Sequence, residues 1–211
     1  MNKSIDDKIK YESRRSIYKP FDFWNKLNNP NKAITKENKD SIELLRITHI
    51  NYISKNIKND KLILDYGCGV GRTIDCYNNN HQIVGVDISL IYKDRIIEKA
   101  NSLGLHFGWI HVSDNKIPFD DNYFDAAVCT QVLMHTKPDD ILVIMNELKR
   151  VSKKVIVSSK EIGNKHNSYI GKNRKFKGHR YRYDYEKLCK KYRFNIFNIE
   201  RYKKNIMFCY N

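Results

Sequence analysis

Three aspartates and three alternating glycines are the residues of this chain best placed to do chemistry. Asp65 ends the apolar run Leu62-Ile63-Leu64 and stands directly ahead of Tyr66-Gly67-Cys68-Gly69-Val70-Gly71. A turn this rich in glycine lets a ligand approach the backbone closely. The carboxylate ahead of it repels a pyrophosphate and welcomes an amine or a sulfonium. The dinucleotide fingerprint spaces its glycines G-x-G-x-x-G, one residue away from the pattern here, and the Lys-Ser or Lys-Thr of a phosphate-binding loop is missing. Asp87 closes Ile83-Val84-Gly85-Val86, and Asp114 follows His111-Val112-Ser113. One Asp at a strand end is ordinary turn chemistry. Three at successive strand ends, with the glycine turn between the first two, point to a ligand, because open parallel sheets bind beyond the carboxyl ends of their strands.

The elements that must hold these residues alternate in type. Short apolar runs predict strands at about 61–66, 82–87, 107–112, 124–130 and 153–158, and the intervening patterns predict helices at about 70–79, 90–102 and 138–150. Asp139 stands near the start of the last helix and Lys149-Arg150 at its end, which complements the helix dipole. Ahead of the first strand, Ile42, Leu45, His49, Tyr52, Ile53 and Ile57 recur near helical spacing over 37–58. Asp184 is placed to cap a short helix through Lys191, and residues 193–199 and 205–210 read as a terminal antiparallel hairpin. The expected architecture is α/β and Rossmann-like: seven strands, a mostly parallel sheet with a C-terminal antiparallel hairpin, and helices on both faces. Residues 1–60 form an N-terminal helical and aromatic cap segment, and residues 61–211 the main domain, with a basic insertion at about 159–183.

The chain resembles the class I S-adenosylmethionine-dependent methyltransferases, in particular the group called type 11. The resemblance runs over roughly residues 60–159. It rests on Asp65, Gly67, Gly69 and Gly71, on Asp87, on the run from Ser113-Asp114-Asn115 through Ile117-Pro118-Phe119-Asp120 to Phe124-Asp125, and on Gln131-Val132-Leu133-Met134-His135 after the fourth strand. It implies a methyltransferase fold and S-adenosylmethionine as cofactor. Asp65 would lie near the cofactor's amino group, Asp87 would accept from both ribose hydroxyls, and Asp114 would accept from the adenine amine with Asn115 beside it. Arg72 either assists or is a solvated helix residue. His135 is the candidate general base for a hydroxyl acceptor, with packing as the alternative. Cys129-Thr130-Gln131-Val132 replaces the motifs of base and glutamine-amide methylating enzymes, and Thr130 stands where catechol-type enzymes carry a metal-binding acid. Transfer without a metal, to oxygen or an amine nitrogen, is what the resemblance implies.

The formal net charge of +15 over 211 residues is unevenly spread. Residues 61–159 carry a net −1, whereas residues 160–182 alone carry +7. This segment contributes His166, His179 and Arg180 as acceptor-side candidates, with Tyr183 just beyond it. A basic border suggests an anionic small-molecule or glycan-like acceptor. An RNA or cap methyltransferase using the basic flanks as its track, and a SAM-binding partner subunit without catalysis, are the alternatives. A solvated charged loop is the reading without a partner. The polar N-terminus and the absence of an apolar run of roughly 18 residues predict no membrane span and a cytoplasmic protein. The five cysteines lack metal-ligand spacing and read as free thiols, with Cys68 at a helix N-terminus the one that could be reactive.

Overall fold

A computed structural model describes residues 19–27, 39–160, 181 and 183–211. Seven strands form one sheet in the order β3-β2-β1-β4-β5-β7-β6: β1 (Leu62–Tyr66), β2 (Gln82–Asp87), β3 (His106–His111), β4 (Ala126–Thr130), β5 (Val155–Lys160), β6 (Ile196–Tyr202) and β7 (Asn205–Tyr210). The first five pair in parallel, and β7 runs antiparallel to both β5 and β6. Both the strand set and the terminal hairpin agree with the sequence expectation. Residues 193–195 stay outside β6 because Arg193 takes a left-handed conformation (φ 60°) that ends the preceding helix.

The helices are α1 (Pro20–Lys26), α2 (Lys39–Ile57), α3 (Lys93–Ser102), α4 (Ile141–Val151) and α5 (Tyr185–Tyr192). Because the central strands are covered on both faces, their side chains are apolar in both directions, and the core divides in two. On one face Ile63, Ile83, Val128 and Ile156 meet Tyr52, Ile53 and Ile57 of α2 and Ile96 of α3. On the other Leu64, Val86, Cys129 and Val157 meet Ile144, Met145 and Leu148 of α4 and Tyr185 of α5. α4 offers the apolar spacing that this packing needs: Ile141, Ile144, Met145, Leu148 and Val151 are all buried. Asp184 caps α5 by accepting from the Lys187 N–H at 3.0 Å, as its position in the sequence suggested.

The helix expected over 70–79 does not form. Gly69 and Gly71 sit at φ +52° and +69°, outside the helical region, and the chain beyond them makes only a single 3-10 turn at Ile74–Cys76. Asn78 and His81 then close a local turn, with the Asn78 N–H donating to His81 Nδ1 at 3.1 Å. Two expectations are corrected as a result. Arg72 is an exposed turn residue rather than a helical one. Cys68 has no helix N-terminus to activate it, and burial pushes its thiol well above the usual range. The segment 90–102 also divides, into a 3-10 turn at Leu90–Tyr92 followed by α3.

Gly67 and Gly69 resist substitution for different reasons and to different degrees. A Cβ on Gly67 (φ +70°) would lie 2.3 Å from Val132 Cγ2, while one on Gly69 would meet nothing within 4 Å. Gly67→Ala therefore combines left-handed strain with a collision, and is expected to lower stability by about 2 kcal/mol or more. Gly69→Ala carries only the strain, roughly 1 kcal/mol. Chemical denaturation of the two variants checks the order.

Candidate functional site: the carboxyl edge of strands one to four

β1 delivers Asp65 to its carboxyl half and passes directly into the glycine turn, which β2 holds in place. The Gly67 and Cys68 N–H groups both donate to the Val86 carbonyl, at 2.8 and 3.2 Å. Asp87, at the end of β2, completes the clasp. Its Oδ2 accepts from the Gly69 N–H at 2.7 Å and its Oδ1 from the Ser89 N–H at 2.7 Å. Burial raises the Asp87 carboxyl, and these two backbone donors oppose the rise. Each oxygen keeps lone-pair capacity for a further donor.

Asp65 is 4% exposed, and among the described residues no Lys or Arg pairs with it. Burial raises its carboxyl to about 7, the Tyr77 hydroxyl acts in the opposite sense, and the charge of Asp87 adds to the rise. A buried carboxylate of this kind is complementary to a cation from outside the chain. Asp114 differs from the other two. It is exposed, and its Oδ1 accepts from the Lys116 N–H at 3.1 Å, closing its own turn. The loop beyond it is pinned by α4: Glu147 accepts from the Ile117 N–H at 2.8 Å, and Arg150 donates to the carbonyls of Ile117 and Phe119 at 3.0 and 2.8 Å. Asn115 lies half-buried beside Asp114.

His135 ends a 3-10 turn after β4, and its ring meets Trp24 of α1 edge-on, with 5.0 Å between centroids. Tyr183 is buried and its hydroxyl donates to the Thr136 carbonyl at 2.7 Å, which ties it to the loop that carries His135. His166, His179 and Arg180 lie outside the described residues.

Sequence reasoning missed a group of polar side chains on the face covered by α2. Thr130 and Ser158 pair across β4 and β5 in register and share the face of Val128 and Ile156, where α2 packs. The hydroxyls of Thr130 and Ser158 and the Nε2 of His49 are all buried, with no hydrogen-bond partner among the described residues. Only the alternation of the strands and the helical period of α2 could have flagged them, and neither tells an orphaned polar atom from a satisfied one. His49 is 3% exposed, and burial lowers its imidazole to about 4. In the unfolded chain it titrates near 6.5, so the folded state is penalised as pH falls from about 6.5 towards 4. His49→Gln is expected to remove a loss of about 3 kcal/mol between those limits. The stability difference between variant and parent, followed by urea unfolding across this range, measures it.

The glycine turn has what a nucleoside ligand with a cationic side chain needs. Open space stands at Gly69, two carboxylates line the turn, and among the described residues neither is paired with a Lys or Arg. Comparisons with known proteins agree. Residues 63–154 match a protein-family profile described as a methyltransferase domain. An uncharacterized methyltransferase of Schizosaccharomyces pombe is 34% identical over 117 residues, which are 48% of this chain and 40% of that protein. The chain thus spans less than half the length of this curated relative. The same fold occurs in the Burkholderia thailandensis 1,6-didemethyltoxoflavin-N1-methyltransferase, crystallised with S-adenosylhomocysteine (TM-score 0.67, 14% identity, 100% of this chain and 92% of that one). It also occurs in the Synechocystis magnesium protoporphyrin IX methyltransferase with bound SAM (TM-score 0.60, 18% identity, 100% and 99%). Fold and turn together resemble those of one class, the Rossmann-like S-adenosylmethionine-dependent methyltransferases. Within it, the chain is similar to the class I family over residues 63–154, and its motifs resemble those of the type 11 group. Among the described residues no helix is long and apolar enough to cross a membrane.

Proposed function

We propose that this chain methylates an oxygen or amine nitrogen of an anionic small-molecule or glycan-like acceptor, using S-adenosylmethionine and no metal. The observation that carries the cofactor assignment is the Asp87 carboxylate, gripped by the Gly69 and Ser89 N–H groups in a turn where a Cβ on Gly69 would meet nothing within 4 Å. In this reading Asp87 receives both ribose hydroxyls, Asp65 faces the amino group, and Asp114 with Asn115 meets the adenine amine. Gly67, Gly69 and Gly71 keep the turn free of side chains. When bound, S-adenosylmethionine supplies an electrophilic methyl group on a sulfonium. The chain's own contribution is to orient and to exclude water, since an in-line displacement gains most from positioning. An amine acceptor needs only a free lone pair. For a hydroxyl, His135 is the residue after β4 assigned to take the proton.

The acceptor assignment rests on charge. A core of net −1 bordered by a segment of net +7 favours a negatively charged acceptor. The test is transfer of radiolabelled methyl from S-adenosylmethionine to cell-extract fractions separated as small molecules, glycan or lipid, RNA, and protein. Label in the anionic small-molecule or glycan fraction is expected. Label in RNA would overturn the acceptor assignment, and cofactor binding without label in any fraction would point to a non-catalytic partner subunit.

A further inference from the structure

The short helix α1 reaches across the site. Its C-terminal turn grips the segment that follows Asp87. Asn25 Nδ2 donates to the Ile88 carbonyl at 3.1 Å and to the Phe21 carbonyl of its own helix at 3.0 Å, while its Oδ1 accepts from the Leu90 N–H at 3.0 Å. Both amide hydrogens and the carbonyl oxygen are therefore in use. The Ser89 hydroxyl donates to the Trp24 carbonyl at 3.2 Å, and the Tyr92 hydroxyl donates to the Leu27 carbonyl at 2.7 Å. On its other sides α1 sets Phe21 against His111, at the end of β3, with ring centroids 6.0 Å apart. It sets Trp24 against His135, beyond β4, at 5.0 Å. In the sheet these strands stand in the order β3-β2-β1-β4, so a helix that touches the end of β3 and the turn that follows β4 spans the ends of β2 and β1 between them.

We infer that residues 19–27 are a strap over the cofactor crevice, energetically coupled to the cofactor through Asn25, Ser89 and Asp87. The inference rests on the reading that Asp87 receives the cofactor. The coupling runs through one short chain of bonds. Asn25 fixes Ile88 and Leu90 on either side of Ser89, and the Ser89 N–H fixes the Asp87 carboxylate. Asn25 is thus a positioning residue: it sets the turn whose central N–H orients the ligand-binding carboxylate. The two rings at the Trp24–His135 contact place apolar surface beside the loop after β4, where exclusion of water matters most to a displacement reaction. Coupling of this kind is reciprocal, so a docked strap strengthens cofactor binding and a bound cofactor strengthens docking by the same factor.

The test uses the full chain and S-adenosylhomocysteine. Asn25→Ala removes the two hydrogen bonds to residues 88 and 90 and is expected to weaken S-adenosylhomocysteine affinity by roughly tenfold, measured by calorimetry. Ser89→Ala, which keeps the N–H donated to Asp87 and loses only the bond to Trp24, is expected to weaken it by a few-fold. Hydrogen exchange supplies the readout that a purely structural role would not move. In the parent protein the ligand is expected to slow exchange at both 19–27 and 88–92, and in Asn25→Ala this ligand-dependent protection is lost. Equal affinity in the parent and both variants, or unchanged exchange at 19–27 on adding ligand, would overturn the inference while leaving the cofactor assignment intact. A parent protein that does not bind S-adenosylhomocysteine would overturn the cofactor assignment itself, and the coupling with it.

Discussion

Asp65→Asn is expected to make the ligand-free protein more stable at neutral and alkaline pH and to remove most of its affinity for S-adenosylmethionine. Asp65 is buried at the end of β1, and burial raises its carboxyl to about 7 from an unfolded value of 3.8. The folded state therefore binds a proton that the unfolded state has already released. Stability from this group is fully present below about pH 4, declines as pH rises through 7, and stays low above it. A rise of this size corresponds to about 4 kcal/mol. Asparagine keeps the shape and never ionises, so the stability difference between variant and parent should be small near pH 4 and grow towards pH 8. His49 titrates over part of the same range with the opposite slope, and because it is common to both proteins the difference isolates Asp65. The price of the gain is function: an ammonium group arriving beside Asp65 compensates the buried charge, and the variant has none to offer. In the parent, affinity should accordingly rise with pH up to about 7 and then level off. A variant less stable than the parent at pH 8 would show instead that the carboxylate is a structural element of the fold.

The second large effect is expected at Asp87. Two short backbone bonds, both 2.7 Å, hold its carboxylate in place, and the alanine variant loses those acceptors together with the lone pairs that the proposed function assigns to the ribose. Charge-assisted hydrogen bonds contribute about 1.5–3 kcal/mol each, so Asp87→Ala should weaken S-adenosylmethionine binding by about 100-fold or more. The fold should lose about 2 kcal/mol as well, because the Gly69 and Ser89 N–H groups are left without their partner. Asp87→Asn separates the two effects, since its amide keeps one acceptor oxygen and one only. Titration calorimetry and chemical denaturation on the same preparations give both numbers. An alanine variant with unchanged affinity would remove Asp87 from the cofactor site.

How much of this is legible in the sequence depends on how local the deciding interactions are. The strands can be read because their partners cover them on both faces and select apolar runs. The cap at Asp184 can be read because its bond to the Lys187 N–H spans three residues. The segment 70–79 reads as a helix because its apolar residues fit that period, whereas the backbone of Gly69 and Gly71 has already left the helical region. His135 is visible as a residue after β4, but its edge-on contact with Trp24 is not, since the two lie more than a hundred residues apart in the chain.

What the sequence by itself determined is the class of ligand. Asp65, the alternating glycines and Asp87 occupy a strand, its turn and the next strand, and residue type alone sets where a carboxylate can end a strand and where the backbone must stay bare. The tertiary structure alone decided which distant side chains meet around the turn and behind the sheet. Asn25 meets Ile88 and Leu90, and His49 is buried on the face of Thr130 and Ser158, only after the sheet has formed and the N-terminal helices have packed against it. Those contacts join residues distant in sequence, and they depend on side-chain placement that no local pattern specifies.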